Sequence, residues 1–183
     1  MSIFTNPAGQ AAEAASGYIA ALLELLGDQD PLAVQRQLLA ELEPLIADLS
    51  DDAVHRPEAP DKWSIAQVLE HLADQELVNA YRIRAITAED EPALPGYDQD
   101  RWAARLRYGA ATARQLLAEL SALRTLNLRP LALLTDEEWD RVGIHSERGR
   151  ESIRRLVALT AAHDLVHRRQ VARIRAATGR PIT

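Results

Sequence analysis

Apolar residues recur every three or four positions through long stretches of this chain, and alternation with a period of two is nearly absent. Positions three and four apart share one face of a helix, whereas a strand turns successive side chains to opposite faces. The pattern predicts an all-α fold. Glycine occurs only eight times in 183 residues, and strands are not expected.

Start and stop signals divide the pattern. A first helix is expected from about Ala11 to Leu26, closed by Gly27. Asp30-Pro31 supplies an N-cap and a proline at the first helical position. Leu32, Leu38, Leu39, Leu42, Leu45, Ile46 and Leu49 follow on one stripe, with Pro44 expected to kink or end that helix. In Trp63-Ser64-Ile65-Ala66-Gln67-Val68, Ser64 and Gln67 form a capping box, and Trp63 and Val68 a hydrophobic staple. A helix from Ile65 to about Ala88 follows from it. The next runs from about Gln99 to Leu123, or to Arg129 before Pro130 interrupts. Thr135 and Glu138 box a short turn around Trp139, and Gly143 to Gly149 reads as a loop. The last helix covers about Arg150 to Ala177 and stops before Gly179-Arg180-Pro181. Long helices on modest loops predict a four-helix bundle with an extra N-terminal helix. A single domain of 1–183 is expected, with the core bundle at about 28–178.

Composition narrows the chemistry. Without cysteine there is no disulfide framework, thiolate metal site, iron–sulfur cluster or cysteine nucleophile. A net charge of −6 argues against nucleic acid, which is bound by neutralising phosphates. Arg148-Gly149-Arg150 and Arg168-Arg169 are then solvated faces. No apolar run is long enough to span a membrane, and Met1 to Gln10 has neither a basic start nor an apolar stretch. The expectation is a cytoplasmic protein without a leader.

Five histidines remain: His55, His71, His145, His163 and His167. His163 and His167 lie four apart, a spacing that puts two imidazoles about 6 Å apart on one helix face. The stripe Ile153, Leu156, Val157, Thr160, Val171 and Ile174, continued through its gap, lands on 163, 164 and 167. Both histidines therefore point into the bundle, where each unpartnered polar group costs about 1–3 kcal/mol. His71 continues the inward stripe Ile65, Val68, Leu72, Gln75. Two histidines from one helix and one from another make a three-nitrogen metal site with open positions, the catalytic rather than the closed structural arrangement. A hydrogen-bonded core network is the alternative.

The segment Lys62-Trp63-Ser64-Ile65-Ala66-Gln67-Val68-Leu69-Glu70-His71-Leu72-Ala73-Asp74 resembles the first signature of the DinB/YfiT-like superfamily of metalloenzymes. His163-Asp164-Leu165-Val166-His167-Arg168-Arg169-Gln170 resembles the second. Pro95 to Asp100 and Trp139-Asp140-Arg141 are also similar to family segments, and the similarity extends from about Leu26 to Ile174. The resemblance implies a DinB-like four-helix bundle with a long crossover connection, in which His71, His163 and His167 hold a divalent ion, zinc or nickel. It implies a low-molecular-weight-thiol S-transferase, in which the metal activates a small-molecule thiol cosubstrate such as bacillithiol, mycothiol or glutathione. A metal-dependent hydrolase using water, and a non-catalytic metal- or ligand-binding protein, are the alternatives. It also implies a small-molecule substrate and allows a homodimer. Pro130, within what is usually continuous helix, departs from the family pattern.

Further residues attach to the site by helical phase. Gln170 lies one turn past His167, and Asp74 one turn past His71; either can orient an imidazole or simply face solvent. Gln75 shares the inward stripe and would line the pocket. Arg82, three turns beyond His71, either holds an acidic arm of a ligand or, the simpler expectation, makes a salt bridge to a neighbouring helix. Tyr97 and Asp98 would roof the pocket, with an N-cap as the plainer duty of Asp98. His145 is expected in a solvated loop, or swinging in as a fourth ligand, and His55 on the surface. Leu22, Leu23, Leu25 and Leu26 serve either core or interface.

Overall fold

The computed structural model describes residues 12–178. The expected helix start at Ala11, the leader question at 1–10 and the stop at Gly179-Arg180-Pro181 lie outside them. Four long helices form the bundle: α2 (Pro31–Ile46), α4 (Ile65–Ala88), α6 (Ala113–Leu131) and α8 (Ile153–Thr178). Helix α1 (Ala12–Leu26) lies outside against α8, and three short helices sit in connections: α3 (Asp51–His55), α5 (Gln99–Leu106) and α7 (Asp136–Trp139). The two closest pairings are α2 with α8 and α4 with α6, joined by α4 with α8 and α2 with α6. Sequential α2 and α4 therefore sit across one diagonal, and α6 and α8 across the other. Each of those two links crosses an end of the bundle.

The capping box of α4 is present as expected: Ser64 Oγ accepts from the Gln67 N–H at 3.3 Å and Gln67 Oε1 from the Ser64 N–H at 2.9 Å. Leu42, Ile65, Leu69, Leu120 and Ile174 are fully buried where the four helices meet. Leu22 and Leu26 face α8, packing against Leu159, Leu165 and Val166, so the leucine run of α1 serves the core.

Four expectations change. The helix expected from Gln99 to Leu123 is two helices, because Arg107 takes φ 60° and Gly109 φ 102°. Two side chains of α4 hold that break: Asp74 accepts from the Tyr108 hydroxyl and Glu70 from the Gly109 N–H. A second capping box, Thr112 with Gln115, then starts α6. Neither proline ends its helix early. Pro44 and Pro130 both fall in the last turn, where each removes a single hydrogen bond, and Arg175 caps α2 by donating to the Leu45 carbonyl at 2.7 Å.

The stretch read as loop between α7 and α8 holds two strands, β2 (Val142–His145) and β3 (Gly149–Ser152), antiparallel. The two-residue β1 (Ala93–Leu94) pairs parallel with β2. Consequently α8 begins at Ile153 rather than Arg150. Strands of two to four residues are too short to display alternation. The sheet packs on α4 so closely that a Cβ on Gly143 would lie 2.7 Å from Leu94 Cδ1 and 3.1 Å from Ile86 Cγ1. Arg141 ties the same corner by donating to the carbonyls of Ile86 and Glu89 at the end of α4. The fold is otherwise all-α. No helix among the described residues is long and apolar enough to cross a membrane.

Candidate metal centre

Helices α4 and α8 bring His71, His163 and His167 together inside the bundle. His71 and His167 are buried, and His163 is partly buried. His163 Nε2 lies 3.0 Å from His71 Nε2 and 3.0 Å from His167 Nε2. The ring centroids are 4.2 to 5.0 Å apart. No other group of three or more His, Cys, Asp or Glu side chains gathers at ligand spacing among the described residues.

The protonation of this cluster is constrained. Burial pushes His167 down to about 4 and His71 and His163 well below the usual imidazole range; charge on the neighbouring rings reinforces the shift for the latter two. All three are neutral at pH 7. The Nδ1–H of His167 donates to Gln170 Oε1 at 2.7 Å, which leaves its Nε2 lone pair facing inward. A neutral ring nitrogen is either donor or acceptor, so one proton at His163 Nε2 cannot satisfy this inward arrangement for all three rings.

A cation satisfies all three lone pairs. Ligands about 2.0–2.1 Å from a divalent ion, at angles of about 90–110°, stand about 2.8–3.4 Å apart. The two Nε2 spacings to His163 fall in that range, all three ligand atoms lie within 4.8 Å of one another, and the donor set fits a divalent metal. If all three Nε2 lone pairs face inward, His71 and His163 carry their protons on Nδ1, and both Nδ1 atoms are buried without a partner among the described residues.

The surrounding shell ties all four bundle helices together. Arg124 of α6 donates to both oxygens of Asp164, at 2.6 and 2.9 Å, and pairs with Glu76 of α4 at 3.0 Å. It also reaches the Gln35 carbonyl of α2 at 3.2 Å. Burial alone would lower the Arg124 pKa, but the two carboxylates outweigh it and raise it. Trp63 packs its ring 5.1 Å from that of His71.

A cavity of about 110 Å³ opens beside His71 and His163, several times the roughly 10–15 Å³ that one water needs. Gln75, Asn79, Arg82, Tyr97, Tyr18 and Thr160 line it, and Asn79 donates to the Thr160 hydroxyl at 3.0 Å. Burial pushes the Tyr97 phenol well above its usual range.

Several expected residues stand elsewhere. Asp74 does not orient an imidazole; it accepts from Tyr108, and His71 Nδ1 has no partner among the described residues. Asp98 caps α5, accepting from the Arg101 N–H at 3.0 Å. His55 is partly buried, its ring nitrogens 2.7 and 3.1 Å from the Asp51 and Ala111 carbonyls. His145 is buried in β2 instead of solvated, and it meets Arg82 rather than the other histidines. Arg82 makes no salt bridge among the described residues; it donates to the Pro95 carbonyl at 2.8 Å. From sequence, Arg124, Asn79 and Thr160 carry no site role, and Trp63 only the part of a helix staple. Asp164 and Asn79 share the inward phase of their helices, which was the available signal. Arg124 shares that signal, four residues past Leu120 on the inward stripe of α6.

Residues 35–171, three quarters of the chain, match the family model of the DinB superfamily. The chain belongs to this family. It is 30% identical over 127 residues to a Bacillus licheniformis protein, covering 66% of this chain and 69% of that one. A Geobacillus kaustophilus protein is 29% identical over 155 residues, 82% of this chain and 85% of the other. Both relatives are named as candidate metal-dependent hydrolases. The fold is similar to that of YfiT from Bacillus subtilis, with a TM-score of 0.75 and 23% identity, over 81% of this DinB-superfamily chain and 86% of that one. YfiT is described as a probable metal-dependent hydrolase with an unusual four-helix bundle topology.

Proposed function

We propose that this chain is a divalent-metal-dependent enzyme acting on a small molecule in the cavity beside His71 and His163. The observation that carries the reading is the convergence of three imidazole nitrogens within 4.8 Å of one another, two of the rings, His71 and His163, lining that cavity. Zinc and nickel suit imidazole ligands. Bound there, such an ion supplies a Lewis acid that lowers the pKa of a thiol or water. His71, His163 and His167 present their lone pairs, and Gln170 fixes the tautomer of His167. Ile19, Leu22, Leu156 and Leu159 form an apolar wall that limits water around the substrate. Three protein ligands leave coordination positions for that substrate.

The first reading of the reaction is S-transfer from a low-molecular-weight thiol. With no cysteine in the chain, the thiol must be a second small molecule. Hydrolysis, with water as the nucleophile, is favoured by the names of the relatives. The deciding experiment is elemental analysis of untagged protein beside His163→Ala, followed by turnover of an electrophilic aryl halide and of an activated ester, each with and without added thiol. About one divalent ion per chain, absent from the variant, is expected. Turnover that requires thiol supports the transferase, and ester cleavage without it supports the hydrolase. Metal binding with no turnover of any kind leaves a binding protein. A wild type that refuses zinc, nickel and manganese sinks the metal reading.

A further inference from the structure

Two guanidinium groups stand in the cavity wall, and the protein treats them differently. Arg148 donates to both oxygens of the fully buried Glu151, at 2.8 and 2.6 Å. Arg82 is only 6% exposed, yet among the described residues no carboxylate pairs with it. Glu147, also in the wall, lies with its Oε1 against Gly96. Both hydrogen bonds of Arg82 run from Nη2 to neutral groups, the Pro95 carbonyl and His145 Nε2 at 3.1 Å. The second is contested. His145 Nδ1 already accepts from the Glu147 N–H at 3.1 Å, and a neutral imidazole has only one nitrogen free to accept. The Nη1 group makes no hydrogen bond among the described residues, and Nε is buried without a partner.

A guanidinium kept from water without a counter-ion is unfavourable, and an anion supplied from outside relieves it. Burial, together with the Arg148 charge, lowers the Arg82 pKa, and the charges of Glu151 and Glu147 offset this only in part without pairing directly with the guanidinium. Arg82 lies eleven residues beyond His71 on α4, about 16 Å along the axis at about 1.5 Å per residue. The cavity reaches both.

We propose that Arg82 binds the anionic oxygen group, a carboxylate or phosphate, of an elongated small-molecule ligand whose opposite end faces His71 and His163. The assignment rests on the reading of the cavity as a substrate pocket, and not on which metal is held there.

Hexanoate, hexyl phosphate and hexanol serve as probes, titrated calorimetrically into the full chain and into Arg82→Gln, Arg82→Lys and Arg148→Gln. At least one anion should bind wild type about tenfold more tightly than hexanol, and the tighter anion names the group. Arg82→Gln should bring acid, phosphate and alcohol within about twofold, with hexanol unchanged; Arg82→Lys and Arg148→Gln should keep most of the preference. Equal affinities in wild type, no binding of any probe, or a preference lost in Arg148→Gln but kept in Arg82→Gln overturns the assignment. Should Arg82→Gln not fold, the Nε–H proton resonance of Arg82 in wild type gives the readout. It should shift with the tighter anion and not with hexanol, and an unmoved resonance overturns the proposal. Metal content measured on the same samples separates the two readings. An anion preference in protein that binds no metal supports this assignment while the metal reading fails. Metal binding without the preference overturns this assignment alone.

Discussion

Replacing Asp164 by alanine should be among the most damaging single changes outside the hydrophobic core. Asp164 is 1% exposed and accepts two charged hydrogen bonds from Arg124, itself 3% exposed. Removing one partner of a buried pair costs about 3–5 kcal/mol, because the remaining charge is stranded. Here Glu76, 3.0 Å from Arg124, and the Gln35 carbonyl still compensate the guanidinium. The cost should therefore fall near the lower bound, about 3 kcal/mol. For a chain of this length, each kcal/mol moves Tm by about 2–4 °C, so Tm should fall by about 6–12 °C. Asp164→Asn keeps the shape and one acceptor and should cost about 1–2 kcal/mol. Urea and thermal unfolding by circular dichroism, on metal-free protein, measure both without interference from metal binding. If both variants unfold within about 0.5 kcal/mol of wild type, the network is not the tie between helices argued above.

Three further outcomes follow from the same structure. Gln170→Ala leaves His167 Nδ1–H without its acceptor and should weaken zinc affinity by about 10–100-fold in a competitive chelator titration, whereas an unchanged affinity would show that the tautomer is fixed some other way. Gly143→Ala drives a methyl into Leu94 and Ile86 and should cost about 1–3 kcal/mol in thermal unfolding; a neutral result would mean that the sheet yields easily. Burial, aided by the charges of Arg148 and Arg82, lowers His145 to about 4, so the folded state binds its proton less readily than the unfolded chain at about 6.5. Its contribution is complete above pH 6.5 and is lost as pH falls toward 4, at about 3 kcal/mol in all. His145→Asn should therefore flatten that part of the stability profile, and an unchanged slope between pH 6.5 and 4 would refute the shift.

Capping and periodicity carried the helices because both are local. Ser64 with Gln67 starts α4 where the residues alone place it, and the inward phase of α8 gathers His163 and His167 on one face. His71 could be joined to them from sequence because it shares the inward stripe of its own helix. The break at Arg107 was less legible, since it depends on Glu70 and Asp74 reaching across from α4. Strands as short as β1 leave no periodic trace, and their pairing joins residues about fifty positions apart.

The division is sharpest at the charged side chains. A stripe states only that a residue faces inward; what it meets there depends on the neighbouring helices. Arg82 and Arg124 both face inward. The diagonal arrangement of the bundle gives Arg124 two carboxylates from other helices and gives Arg82 a carbonyl, an imidazole and an open cavity. Likewise His145, in a segment that reads as a solvated loop, is buried because β2 is clamped between β1 and β3. Short-range steric and hydrogen-bonding rules set the helices and the inward phase of His71, His163 and His167; their convergence came from the packing of α4 against α8. The partners of Arg124, Glu76 and Asp164 were decided by long-range packing, because each counter-ion arrives from another helix and leaves no mark on the sequence around the charge it meets.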